Sequence, residues 1–284
     1  MKKIIFLFSA FLLAFSLNAC QETTTLNKDK PIILVSIVPE ADFVRQVAGD
    51  LVEVVTVIPP GYSPATYEPT PQTMVTLAEA DIYFTIGVAA EDTAILPSLV
   101  GPAIVSLEDF VASIYPDRSF DLDDRDPHIW LSIKRVVVMV NTIASVLADF
   151  DPDNASAYED NAEAYVGLLN SLDNLLALSF SGITNNKFIV YHPAYGYFAD
   201  DYGLDMISIE DEGKEATTAW LAEVVSIAEA NDIHTVFYQA EIDSSQVTSF
   251  AEEIEGVAVE LDPLASDYVA NMIKMAALIR GTVN

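Results

Sequence analysis

Short β-rich apolar runs alternate along this chain with segments whose apolar residues recur every three or four positions. The short runs predict strands at Ile32–Ile37, Val52–Ile58, Ile82–Ile86 and Ala103–Leu107. Helical spacing near 41–48, 73–80 and 133–149 falls between or after them. The second half repeats the alternation. Strands are expected at Phe188–Tyr191, Met206–Ile209, Thr235–Tyr238 and Val257–Leu261, with helices near 195–202, 218–230, 244–255 and 266–280. Between the halves, Tyr158, Ala162, Tyr165, Leu169, Leu172 and Leu176 recur at spacings of 4, 3, 4, 3 and 4. That is one apolar stripe on one helix. Asp151-Pro152-Asp153 supplies its start and Ser181-Gly182 its stop. At 1.5 Å per residue it is about 40 Å long. The expected fold is α/β: two lobes, each with a mostly parallel sheet flanked by helices, joined by one long rigid helix. The first lobe is expected at 31–152, the connecting helix at 153–181 and the second lobe at 182–284.

The first thirty residues depart from this pattern. Lys2 and Lys3 precede an apolar stretch from Ile4 to Phe15 broken only by Ser9. The stretch is short for a membrane span and has the length of a signal-peptide core. Leu17-Asn18-Ala19-Cys20 follows and resembles the lipobox of a bacterial lipoprotein, with Asn18 a less usual occupant of its position. Residues 1–19 are therefore expected to be a lipoprotein signal peptide and Cys20 the lipidated residue. Residues 20–30 are polar and read as a flexible tether. Cys20 is the only cysteine, so no intramolecular disulfide can form.

The charge balance narrows the partners. There are 43 acidic and 13 basic residues, net −30; without Lys2 and Lys3 the balance becomes 43 against 11, net −32. Such a surface excludes nucleic acid as a partner and is compatible with attracting cations. The densest stretch is Asp117–Asp126, read as an acidic loop with five aspartates.

Three histidines occur in the chain. His128 sits in Asp126-Pro127-His128-Ile129-Trp130-Leu131, and His192 follows the strand Phe188–Tyr191. Imidazole is the commonest nitrogen ligand for zinc and other divalent metals. The two lie 64 residues apart, so a shared ion needs a fold that joins two separate loops. Open α/β sheets bind ligands beyond the carboxyl ends of their strands. His192 has that position, as does Asp262 after Val257–Leu261. The loop Pro64–Pro71, which contains Glu68, follows Val52–Ile58, and His128 feeds the helix from about Ile133. Read singly, each has a plainer meaning: a loop residue before a helix for His128, a strand end for His192, a turn pair for Asp262-Pro263. His234 reads as a structural or surface residue, and Tyr67 and Tyr197 as packing residues.

Seven collinear segments carry a further signal. They are Ile58-Pro59-Pro60-Gly61, Tyr67-Glu68-Pro69-Thr70-Pro71, Leu77–Asp81, Asp126–Leu131, Tyr197-Phe198-Ala199, Tyr202-Gly203-Leu204 and Leu261-Asp262-Pro263-Leu264. In this order the chain resembles the metal-binding lipoproteins of ABC importers for zinc and manganese, a family of two lobes joined by one rigid helix. The resemblance implies a metal site between the lobes with His128, His192 and Asp262 as ligands. It also implies a solute-binding protein, anchored outside the cytoplasmic membrane, that passes its ion to a permease. A monomer and no enzymatic activity are expected. The family places a further histidine two residues before Tyr67, where this chain has Ala65. Water, Glu68, Tyr67 or Glu40 would then complete the site. Many zinc-type relatives carry a histidine-rich loop where this chain has the aspartate-rich 112–127. Two imidazoles and a carboxylate suit Zn²⁺, with Mn²⁺ or Fe²⁺ as alternatives. Two other functions fit the same features. One is a metal-dependent hydrolase, against which stands the absence of any His-Glu-x-x-His spacing. The other is an adhesin-like lipoprotein with an altered metal site.

Overall fold

The computed structural model describes residues 29–121, 124–210, 214, 216–240 and 244–283. The signal segment and Cys20 lie outside them. The first sheet comprises β1 (Ile32–Val35), β2 (Glu53–Thr56), β3 (Ile82–Thr85) and β4 (Ala103–Ser106). Its strands are all parallel in the order β2-β1-β3-β4. A two-stranded antiparallel hairpin, β5 (Ser119–Asp121) with β6 (Asp124–Arg125), interrupts the expected acidic loop. The second sheet comprises β7 (Lys187–Val190), β8 (Asp205–Ser208), β9 (Thr235–Tyr238) and β10 (Val257–Glu260). It too is parallel, in the order β10-β9-β7-β8. Numbered within each sheet, both run 2-1-3-4. In both, the connections leave in opposite directions from the first and third strands, and a crevice opens at that point. The two-lobed α/β architecture is thus as the hydrophobic pattern predicts.

Helices α1 (Val38–Ala48), α2 (Pro71–Leu77), α3 (Leu107–Ala112) and α4 (Ile133–Phe150) accompany the first sheet. The connector α5 spans Ala155–Ser179, 25 residues or about 38 Å. Its buried residues are Tyr158, Ala162, Tyr165, Leu169, Leu172 and Leu176, the six of the predicted stripe. They pack into a core that continues from the first sheet through α4 and α5 to Phe188, Phe198 and Tyr268. Burying an apolar side chain of this size is worth roughly 1.5–3 kcal/mol. The connector is therefore a beam embedded in both lobes. Helices α6 (Gly196–Tyr202), α7 (Thr218–Ala230), α8 (Ser244–Glu253) and α9 (Tyr268–Arg280) follow. Helix α9 returns toward the first lobe: the rings of Tyr268 and Phe43 are 5.0 Å apart, edge to face. A smaller cluster around Val224, Val236 and Val247 fills the far side of the second sheet.

Some boundaries differ from expectation for identifiable reasons. Strand β1 stops at Val35 because the backbone N–H groups of Ser36 and Ile37 donate to Glu40 Oε2, at 2.9 and 3.0 Å. That contact starts α1 at Val38, three residues earlier than predicted. Strand β4 stops at Ser106, and α3, which the periodicity did not predict, begins at Leu107. A six-residue helix is too short to show a period.

Candidate metal centre

His128 is held by the residues around it in the chain. Asp126 is fully buried, and its Oδ1 accepts from the backbone N–H of His128 at 3.0 Å and lies 2.8 Å from His128 Nδ1. Trp130, two residues on, donates its indole N–H to the Pro263 carbonyl at 2.9 Å. The hydroxyl of Tyr268 donates to the Trp130 carbonyl at 2.8 Å. Ser132 then caps α4, its side chain accepting from the Arg135 N–H. His128 is 9% exposed. Burial is the largest influence on it and lowers its pKa; Asp126 opposes that shift and His192 adds to it. The ring is pushed toward the neutral form that a metal ligand requires.

His192 lies two residues beyond β7. Strands β7 and β8 are neighbours, and their pairing continues past both ends: Glu210 N–H donates to the Tyr191 carbonyl at 2.9 Å. This brings the Glu210 carboxylate to His192, with Oε2 2.6 Å from Nδ1. The rings of His128 and His192 are 5.3 Å apart at 71°. Each imidazole engages a carboxylate through Nδ1, which leaves Nε2 as the nitrogen to ligate an ion. Asp126 was visible as the neighbour of a motif histidine. Glu210 was missed; only the β7–β8 pairing reveals it.

Both rings line one cavity of about 560 Å³ between the lobes. Its wall also includes Ala65, Gly87, Phe120, Arg125, Trp130 and Gln239. Gly87 follows β3 and Gln239 follows β9, so the cavity sits at the crevice of both sheets. Ala65 therefore borders the cavity despite its lack of a donor atom. Asp262 does not line this space. It is half-buried in an adjoining cavity of about 180 Å³, with Oδ1 accepting from the Leu264 N–H at 2.9 Å. Pro64 and Leu264 border both cavities. Glu68 is exposed and is not among the described residues lining either one. Tyr67 packs against the core, with its ring 5.4 Å from that of Tyr62. Glu40 is fully buried at the start of α1, its Oε2 occupied by the two backbone donors. Among the described residues, no three of His, Cys, Asp and Glu group closely enough to hold an ion. His234 stands apart, with Nδ1 3.0 Å from the Ile254 carbonyl and Nε2 3.1 Å from Asp232.

Beneath the cavity, at the β1–β3 crevice, lies a buried polar cluster that the sequence did not announce. Ser36 hydrogen-bonds to Glu91 and to Tyr83, the latter at 2.7 Å. Glu91 also accepts from the N–H groups of Ile86 and Gly87, at 2.9 and 2.7 Å. Burial raises the Glu91 carboxyl to about 7 and raises that of Glu40 as well.

Residues 33–281 match the family described as zinc-uptake complex component A, periplasmic. A manganese-binding lipoprotein of Halalkalibacterium halodurans is 26% identical, over 96% of each chain. An iron ABC transporter substrate-binding lipoprotein of Streptococcus pyogenes is 27% identical, over 89% of this chain and 86% of that one. The crystal structure of a zinc-uptake component A superposes with a TM-score of 0.83 at 34% identity, over 89% of this chain and 99% of that one.

Proposed function

We propose, from the premise that this chain belongs to the periplasmic zinc-uptake component A family, that His128 and His192 grip the metal ion it carries. The protein is an extracytoplasmic solute-binding component of a divalent-metal ABC importer, and it is not an enzyme. It captures an ion and hands it to a permease. The observation that carries the assignment is the meeting of two imidazoles from different lobes, 5.3 Å apart, each backed by a carboxylate on Nδ1.

The arrangement suits capture without chemistry. Asp126 and Glu210 hold the rings through Nδ1 and so orient Nε2 toward a cation. One ring comes from each lobe, so a bound ion bridges the two lobes. Asp262 is the proposed third ligand, from the adjoining cavity, and Glu68 is the reserve carboxylate. Zinc is the proposed ion, because imidazole with few carboxylates favours it over manganese or iron. Relatives named for manganese and for iron make those two ions the competitors to test. Elemental analysis of the purified protein, then competitive titration with the three ions, tests this reading. Preference for manganese or iron overturns the choice of zinc, and no bound metal overturns the site.

Cys20 is the proposed lipid anchor, holding a monomeric domain at the membrane surface by the tether 20–30. One acyl chain gives marginal membrane binding, so a stable anchor needs more than one. Cys20→Ser should release the protein or leave it unprocessed. A variant that fractionates and migrates like wild type refutes the anchor.

A further inference from the structure

Asp126 holds His128 with one carboxylate oxygen only. Its Oδ1 accepts from the backbone N–H and faces the imidazole Nδ1, at 3.0 and 2.8 Å. Its Oδ2 is buried and accepts no hydrogen bond among the described residues. The Asp126 side chain is 0% exposed, and a buried carboxylate is costly unless a counter-charge stands beside it. Arg118 supplies that charge. Its Nε is also buried without a hydrogen-bond partner among the described residues, and it faces Asp126 Oδ2 at 3.5 Å.

Arg118 belongs to the first lobe, directly before β5, yet three residues of α6 in the second lobe hold it. Its Nη1 donates to both oxygens of Asp200, at 2.9 and 2.8 Å. The Tyr197 hydroxyl accepts from the Arg118 backbone N–H at 2.9 Å and donates to the Asp126 carbonyl at 3.1 Å. Gly196 leaves room for the guanidinium, since a Cβ there would stand 2.4 Å from Nε. The second lobe thus carries the arginine, and through it the carboxylate behind His128. A lysine has one nitrogen and cannot do the same, whereas the planar guanidinium turns Nε inward and Nη1 outward.

Charge and positioning act here in opposite directions. The guanidinium has the same sign as a metal ion, so on Coulomb's law alone its removal favours the ion. A group that orients a ligating imidazole acts the other way, because such partners contribute roughly 10–100-fold in metal affinity. The sign of the change in affinity therefore tells the two roles apart.

We propose that Arg118 is a positioning residue for His128, acting through Asp126, and that Asp200 of the other lobe supports metal affinity by holding it. The proposal rests on His128 being a metal ligand.

The test is the zinc affinity of the mature protein by chelator competition, with the absorption bands of bound Co²⁺ as a second readout. Arg118→Gln should weaken zinc binding about tenfold and alter the Co²⁺ bands, which report ligand geometry. Arg118→Lys keeps the charge but loses the fork, and should not restore wild-type affinity. Asp200→Asn should weaken binding about threefold, the scale of an exposed ion pair. Gly196→Ala keeps every charge and displaces the guanidinium, so it should also weaken binding. It decides the matter if Arg118→Gln does not fold. Asp126→Asn combined with Arg118→Gln should lose no more affinity than Asp126→Asn alone, since the arginine acts through that carboxylate. Tighter or unchanged binding in any folded single variant, full rescue by lysine, or losses that multiply in the double variant would each overturn the proposal and leave the metal site standing. Failure of wild type to bind zinc would overturn the His128–His192 reading itself, and this proposal with it.

Discussion

Trp130 and Pro263, 133 residues apart, are joined by a 2.9 Å hydrogen bond from the indole N–H to the backbone carbonyl. Trp130 follows His128 by two residues, and Pro263 follows Asp262 by one. The bond therefore couples the motif of the first lobe to the carboxylate loop of the second. Trp130→Phe keeps an aromatic ring in the core but removes the donor and part of the indole's volume. It should lower stability by about 1–3 kcal/mol, the cost of leaving a buried carbonyl unpaired, and weaken metal binding. Urea denaturation and chelator competition measure the two effects. Unchanged values in both would show that the bond does not brace the site.

Removing an imidazole should separate a ligand from a bystander. A ligand that binds only the folded state adds about 4 kcal/mol at a thousandfold excess over its Kd. Zinc should therefore raise the Tm of wild type, and chelator should reverse the rise. His192→Ala should abolish most of it. His234→Ala should leave it intact, because that ring is occupied by Asp232 and the Ile254 carbonyl. Equal losses in the two variants would show the site to be misassigned.

Glu210 offers a finer probe. Glu210→Gln preserves size while removing the charge beside His192 Nδ1. Partners of this kind typically contribute 10–100-fold in metal affinity. Zinc binding should weaken within that range while the metal-free Tm stays close to wild type. If affinity is unchanged, Glu210 does not orient the ring.

Ala65 borders the main cavity, so a histidine there would border the space that His128 and His192 also line. Ala65→His should tighten zinc binding, since zinc favours four firm N, O or S ligands. It should also steepen the loss of binding as pH falls, because one more imidazole must shed a proton. Chelator competition at two pH values reads both effects. Unchanged or weaker binding would mean that another group already fills the place.

Glu91 predicts a pH dependence of folding that is separate from metal. Burial lifts its carboxyl from 4.5 to about 7, against the hydrogen bonds from Ser36, Ile86 and Gly87 that pull it down. A carboxyl raised in the folded state binds its proton more tightly there than in the unfolded chain. Its contribution to stability is therefore present at low pH and is lost as pH rises from about 4.5 to about 7. Metal-free wild type should lose stability relative to Glu91→Gln across that window. A constant difference between the two proteins from pH 4 to 8 would refute it.

Much of this was already legible in the order of residues. The α5 stripe from Tyr158 to Leu176 needed only a period, because a helix sets its buried face by local geometry. The strand cores were legible for the same reason. His128 and His192 stood out because imidazoles are rare in this chain and both sit in patterned segments. The short helix α3 and the β5–β6 hairpin escaped notice because two to six residues are too few to display a period.

Only the tertiary structure decided which residues meet. Parallel strand order is a long-range property, and no run of sequence states that β8 lies beside β7. Glu210 therefore reached His192 unannounced, and Gln239 and Arg125 reached the cavity in the same way. The fold also set Asp262 in the adjoining cavity and Glu40 under the start of α1, because a carboxylate goes where backbone donors and neighbouring strands hold it. The sequence by itself determined two α/β lobes, a rigid connector and a pair of candidate imidazoles, since local periodicity and composition encode these. Their meeting 5.3 Å apart, and the carboxylates behind them, came from the packing of two 2-1-3-4 sheets against one helix.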